Sequence, residues 1–239
     1  MAKEDVVHHG HKGMEALRII AMIMIVGIHY LGHGNGHDGI LKHDPQLWNY
    51  WIACFFEACG SIGVNCYVLI SGYFLLYSKR FSYKKAAKLW GQVFFYSVGI
   101  YLFLLVIGWM PFSPKLLFEL MLPVKFGNYW FVAPYIGLYL LYPYLNVMAI
   151  GMEKENYQKF LMLLIAILSI YSFIVDSFHV SGGYSLIWFI ALYFIAAYLR
   201  RFEISFSKKK LMLFYLGISF FILITKFCLY TLSIKYGFV

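Results

Sequence analysis

The sequence predicts an all-α protein, a polytopic transmembrane helix bundle of about seven spans with one short interfacial or re-entrant helix. Three observations predict it. Of 239 residues, 62% are hydrophobic and 13% charged, against about 45–50% apolar and about 25% charged in ordinary soluble domains. Uncharged runs near the roughly 20 residues needed to cross a bilayer core recur along the whole chain. Lys and Arg also segregate: with the N-terminus inside, fifteen of the 20 fall on one side, four on the other, and Lys226 lies within the last run. That bias retains basic loops in the cytoplasm and predicts a cytoplasmic N-terminus with an external C-terminus.

The elements run in order along the chain. Residues through His11 are polar and read as a short cytoplasmic tail. Ala16–Leu31 is the first span, and Arg18 inside its opening argues against a cleaved signal peptide. Gly32–Asp44, rich in Gly and His, is an external loop. A helix from Trp48 to Tyr77 would hold 30 residues, about 45 Å, and would overshoot the bilayer. Gly60 and Gly63 are therefore expected to break it into a short external interfacial or re-entrant helix carrying Glu57, followed by a second span, Ile62–Tyr77. Ser78–Lys88 returns the chain to the cytoplasm, and Leu89–Trp109 is the third span. Met110–Gly127 contains Pro111, Pro114 and Pro123 and is expected to be a folded connection without helix. The remaining spans are Tyr129–Ile150, Phe160–Val175, Ser185–Leu199 and Leu211–Leu232. No linker or internal repeat divides the chain, so residues 1–239 read as a single membrane domain.

The net charge of +9 is explained by basic cytoplasmic loops beside anionic lipid. Nucleic-acid binding would need a contiguous basic face on a polar domain. Cys54, Cys59, Cys66 and Cys228 lie in apolar stretches without metal-ligand spacing and read as small buried residues. His33, His37 and His43 with Asp38 and Asp44 sit in surroundings too Gly-rich to frame a metal, so no metal site is expected.

Arg18 and His29 carry the chemical interest. Eleven residues at about 100° each bring both side chains to one helix face, separated along the axis by about 16 Å. An ionisable group inside a span is costly and faces a bundle interior or watered cavity in most cases. The competing explanation is a snorkelling Arg18 and a hydrogen-bonded interfacial His29.

The stretch Glu15-Ala-Leu-Arg18-Ile-Ile-Ala-Met-Ile-Met-Ile-Val-Gly-Ile-His29 resembles the opening of the acyltransferase 3 family of membrane O-acyltransferases, which carries an Arg, ten residues and a His in its first span. Ile62 to Leu76, with its Ser71-Gly72 pair, resembles that family's second span. Asn128-Tyr129-Trp130-Phe131, followed by Leu138 to Asn146, and Trp188 to Arg200 resemble two later spans. The ordered set runs from residue 14 to about 210 and is closest in character to the polysaccharide-modifying members of Gram-positive bacteria. Members have about ten spans, so the resemblance implies that the last three helices are absent here.

The resemblance implies transfer of an acyl group, usually acetyl, from cytoplasmic acyl-CoA (acetyl-CoA) to a hydroxyl of a cell-surface or exported polysaccharide, in a bacterial plasma membrane. Lys79, Arg80, Lys84, Lys85 and Lys88, with Arg18, are the candidate dock for the donor's phosphates. Lys85-Ala-Ala-Lys88 stands where the family often ends such a motif in Arg, so a bidentate contact is lost there. His29 is the candidate general base or transient acyl carrier, since an imidazole exchanges protons near neutral pH. Glu57 either orients that imidazole or is a water-exposed interfacial carboxylate. Tyr129, Trp130 and Asn65 are candidate acceptor contacts, although an aromatic belt explains the two rings equally well. Ser71-Gly72 reads as a close helix contact in preference to a nucleophile. The rival function is a transporter or flippase for a lipid-linked sugar, motivated by aromatic spans and buried ionisable groups. An inactive fragment that assembles with another membrane protein or oligomer is the third.

Overall fold

The computed structural model describes residues 2–33, 48–78, 81–122, 129–171 and 183–236. Among them every regular element is a helix: α1 (Ala2–His33), α2 (Trp48–Gly60), α3 (Gly63–Leu75), α4 (Tyr83–Val106), α5 (Pro114–Met121), α6 (Val132–Gly151), α7 (Lys154–Ile165) running into a π-helical segment (Ala166–Tyr171), α8 (Leu186–Arg201) and α9 (Lys208–Tyr236). Among the described residues, five stretches are long and apolar enough to cross a membrane: Lys12–Gly32, Trp48–Leu75, Tyr83–Val106, Val132–Gly151 and Lys208–Lys235. The expected span Phe160–Val175 corresponds to the end of α7 and its π segment, with residues 172–182 outside the described set. The expected span at 185–199 is α8, whose 16 residues are short of the roughly 20 that cross a bilayer unaided.

The polar residues through His11 are helical and run on into the first span as α1. Two expectations are corrected. The Pro-rich connection after α4 contains a helix, α5, because Pro114 occupies its first turn, where a missing N–H costs nothing, and the Ser113 side chain accepts from the Leu116 N–H at 3.3 Å. Cys228 is exposed on α9, unlike buried Cys54.

The chain forms two compact units: residues 1–70 with 204–239, and residues 71–203. In the first, α2 packs against both α1 and α9. The expected break is present: α2 and α3 are separated by a turn at Ser61 and Ile62. The two glycines stand where α1 comes closest. A Cβ on Gly60 would lie 2.8 Å from Ile28 Cγ1, and one on Gly63 would lie 3.0 Å from the Ala21 carbonyl oxygen. On its other side α2 runs antiparallel to α9. Trp51 meets Phe227 at 5.0 Å, Phe55 meets Phe220 at 4.9 Å, and Tyr215 donates to the Cys59 carbonyl at 2.6 Å. α2 thus lies along a long apolar helix, as the first part of the candidate span Trp48–Leu75.

The second unit is built around α8, which packs on α6 and α7, while α4 packs on α5 and α6. Phe189, Leu192, Tyr193, Phe194, Ala196 and Ala197 are all buried, so α8 is enclosed by protein instead of lipid. The Ser71-Gly72 pair is the close contact expected: a Cβ on Gly72 would sit 3.1 Å from Tyr193 Cα and 3.2 Å from Ala196 Cβ.

A Gly63→Val substitution should destabilise the solubilised protein by about 1–3 kcal/mol, because the new carbon meets backbone that cannot rotate away. Gly27→Ala, with nothing within 4 Å of its Cβ, should be neutral or slightly stabilising. Thermal unfolding followed by helical dichroism checks the pair, and equal midpoints would contradict the close α1–α3 contact.

Candidate functional site

The packing of α1 fixes how its two ionisable side chains are presented. Ala21, Met24, Ile25 and Ile28 meet the glycines of α2 and α3. At 100° per residue, Arg18 and His29 lie within about 20° of each other and roughly 80° round the helix from the centre of that contact. They therefore occupy the shoulder between the packed face and the open face that carries Met22, Ile23, Val26 and Tyr30. Arg18 is half-buried and His29 exposed.

His29 Nδ1 lies 2.8 Å from the Ile25 carbonyl oxygen. A carbonyl has no proton to give, so Nδ1 carries the proton, and in the neutral ring the lone pair is on Nε2. This is the tautomer in which Nε2 can accept a proton from a substrate hydroxyl.

Glu57 is brought to Lys226 of α9, with Oε2 and Nζ 2.5 Å apart. Asn65 is half-buried and projects about 200° round α3 from Gly63. Arg18, His29, Glu57, Lys226 and Asn65 all belong to the first unit. Lys79 and Arg80 lie outside the described residues. Lys84, Lys85 and Lys88 do not lie in a loop as expected: α4 begins at Tyr83, so they are exposed on its first two turns. No acidic residue shares the first turn, and the Ser82 side chain makes no cap hydrogen bond. Lysines there add to the positive end of the helix dipole and leave a region favourable to anions. Tyr129 is exposed, whereas the Trp130 ring meets Tyr184 edge-on at 4.5 Å. Among the described residues, no group of three His, Cys, Asp or Glu is placed to hold a metal.

The polar residues least evident from sequence form the interior of the second unit. Asn146 donates to the Leu75 carbonyl at 3.0 Å and accepts from the Tyr193 hydroxyl. Arg200 donates to the Tyr73 carbonyl and stacks over the rings of Tyr73 and Tyr77 at 4.9 and 4.8 Å. Arg201 donates to the carbonyls of Ala149 and of Met152, the latter at 2.6 Å. The C-terminal ends of α3, α6 and α8 thus meet, and two guanidinium groups satisfy carbonyls left open there. Tyr157 donates to the Phe194 carbonyl at 2.9 Å, and burial pushes its phenol well above the usual range, so it remains a donor. Asn146, a single amide in an apolar run, is the one member with a sequence signal; the arginines resembled ordinary cytoplasmic flanking charge.

Asn146→Leu should cost about 1–3 kcal/mol for each buried group left without a partner, read as a lowered unfolding midpoint. An unchanged midpoint would mean that the amide is not part of the interior network.

No curated protein and no solved structure matches the chain. A family model, described as an acyltransferase domain, matches residues 11–238. That match takes in the Arg18-to-His29 interval, the paired glycines and the Trp188-to-Arg200 helix alike, and the chain belongs to the acyltransferase 3 family of multi-pass membrane acyltransferases.

Proposed function

We propose that the protein transfers an acetyl group from acetyl-CoA at the cytoplasmic face to a hydroxyl of a cell-surface or exported polysaccharide, within a bacterial plasma membrane. The observation that carries this reading is the His29 ring held with its proton on Nδ1 toward Ile25, eleven residues from Arg18 on one shoulder of α1. In the transfer, Nε2 takes the proton of the acceptor hydroxyl as the oxygen attacks the thioester carbonyl carbon. The new C–O bond forms, the C–S bond breaks, and the CoA thiolate leaves with the proton returned from the imidazolium.

The donor's phosphates are assigned to Lys79, Arg80, Lys85 and Lys88, whose charge attracts an anionic carrier. Support comes from the uncapped start of α4 and from the buried Tyr142 hydroxyl, which has no hydrogen-bond partner among the described residues. The Tyr142 ring lies tilted against those of Phe81 and Tyr139, with centroids 5.9 and 5.3 Å away, and Tyr139 itself donates to the Ser82 carbonyl at 3.3 Å. Tyr142 therefore offers an unused donor beside that helix start. Tyr129 and Trp130, in the second unit, are the acceptor contacts in this reading, and Asn65, in the first, is a separate candidate. Arg18, near the cytoplasmic end of the apolar span within α1, is a further positive charge at that face in this reading. Basic loops on the N-terminal side set the orientation, with the N-terminus inside and the C-terminus outside.

Membranes containing the protein should transfer label from radioactive acetyl-CoA to alkali-labile ester on endogenous glycan. His29→Ala should lower the rate by about 10²–10⁴-fold, the range of a lost acid–base group, and Arg18→Ala should weaken transfer while insertion is unchanged. Equal ester formation in both variants and in wild type would remove the proposal. A transporter would consume no donor.

A further inference from the structure

The Glu57–Lys226 ion pair joins two elements of the first unit, both parts of candidate membrane-crossing stretches. Its side chains retain 32% and 43% of their accessible surface. The pair is not needed to bring α2 and α9 together, since Trp51, Phe55 and the Tyr215 hydroxyl already engage α9. Replacing such a pair by apolar side chains is often neutral or stabilising, and its best-attested use is to specify register. Ring contacts tolerate a slide by part of a turn, whereas a charge pair in apolar surroundings does not.

The register of α2 on α9 reaches α1 through the last turn of α2. The Glu57 carbonyl accepts the Ser61 N–H at 2.9 Å, closing that turn. Gly60 lies within it and meets α1 at Ile28, the residue before His29. A path of one ion pair, one helical turn and one glycine contact thus leads from α9 to the imidazole-bearing turn of α1. We propose that Glu57 and Lys226 are positioning residues, through which α9 sets the register of α2 and so the placement of the His29 turn. This assignment rests on the reading of His29 as the group that takes the acceptor's proton, and it gives Glu57 a role through Lys226 instead of through direct contact with the ring.

The test uses the full chain in membranes, with three variants: Glu57→Gln, Lys226→Met and the charge swap Glu57→Lys with Lys226→Glu. Each single variant should insert normally and keep the KM for acetyl-CoA, while kcat falls on the order of a hundredfold, as for a small misplacement of a reacting group. The swap should restore the greater part of kcat. A readout independent of catalysis is labelling by N-ethylmaleimide, resolved by residue in mass spectra. Cys54 of α2 is 1% exposed and should label faster in the single variants and slowly again in the swap, with exposed Cys228 as the internal reference. Wild-type kcat in Glu57→Gln overturns the proposal, as does unchanged Cys54 labelling. So does a swap that stays inactive with Cys54 protected, which would mean that Glu57 acts on substrate directly. If wild type itself transfers no acetyl group, the functional reading fails. Cys54 labelling then still decides the positioning claim: faster labelling in the single variants upholds it, and unchanged labelling overturns it.

Discussion

A polar group in apolar surroundings must find its partner inside the protein, and most features of these two units answer to that requirement. Where the partner lies on the same helix, the answer is local: Ser97, Ser219 and Thr225 donate to carbonyls four residues back at 2.7, 3.0 and 2.8 Å, and His29 does the same to Ile25. Where a helix ends, the answer comes from elsewhere in the unit. Tyr215 serves the end of α2, and the guanidinium groups of Arg200 and Arg201 serve α3 and α6. Arginine suits that task because its planar fork reaches two acceptors and stacks on rings at once.

Close approach is the second requirement, since apolar helices in lipid gain little from contact unless their surfaces fit. Gly60 and Gly63 let α1 lie against the α2–α3 turn, and Gly72 lets α8 lie against α3. In each case backbone or side-chain atoms occupy the space that a larger side chain would fill. The turn of α1 that carries His29 is therefore held against a neighbour with little room to shift.

Much of this is readable without the structure. The helical class, the long apolar spans and the break near Gly60 come from run length and from the two glycines. The membership that the family model demonstrates over 11–238 is visible in the Arg18-to-His29 interval and the stretches after it. Other features are not. The α5 helix is hidden because Pro114 reads as a breaker in one dimension and as a favoured first-turn residue once Ser113 caps it. Lys84, Lys85 and Lys88 read as a loop because charge interrupts an apolar run, yet Lys and Ala are good helix formers and α4 starts among them. The partner of Glu57 lies 169 positions away in sequence, beyond any local pattern.

Sequence alone determined that this chain is a helical membrane protein, where its main spans run, and which Arg and His share a face. These depend on hydropathy and angular spacing within one continuous segment, which add up residue by residue. Only the tertiary structure decided that α2 runs beside α9, that Glu57 meets Lys226, and that α8 is enclosed by protein with its arginines capping other helices. Those pairings depend on which surfaces fit across helices far apart in the chain, a property that no single segment contains.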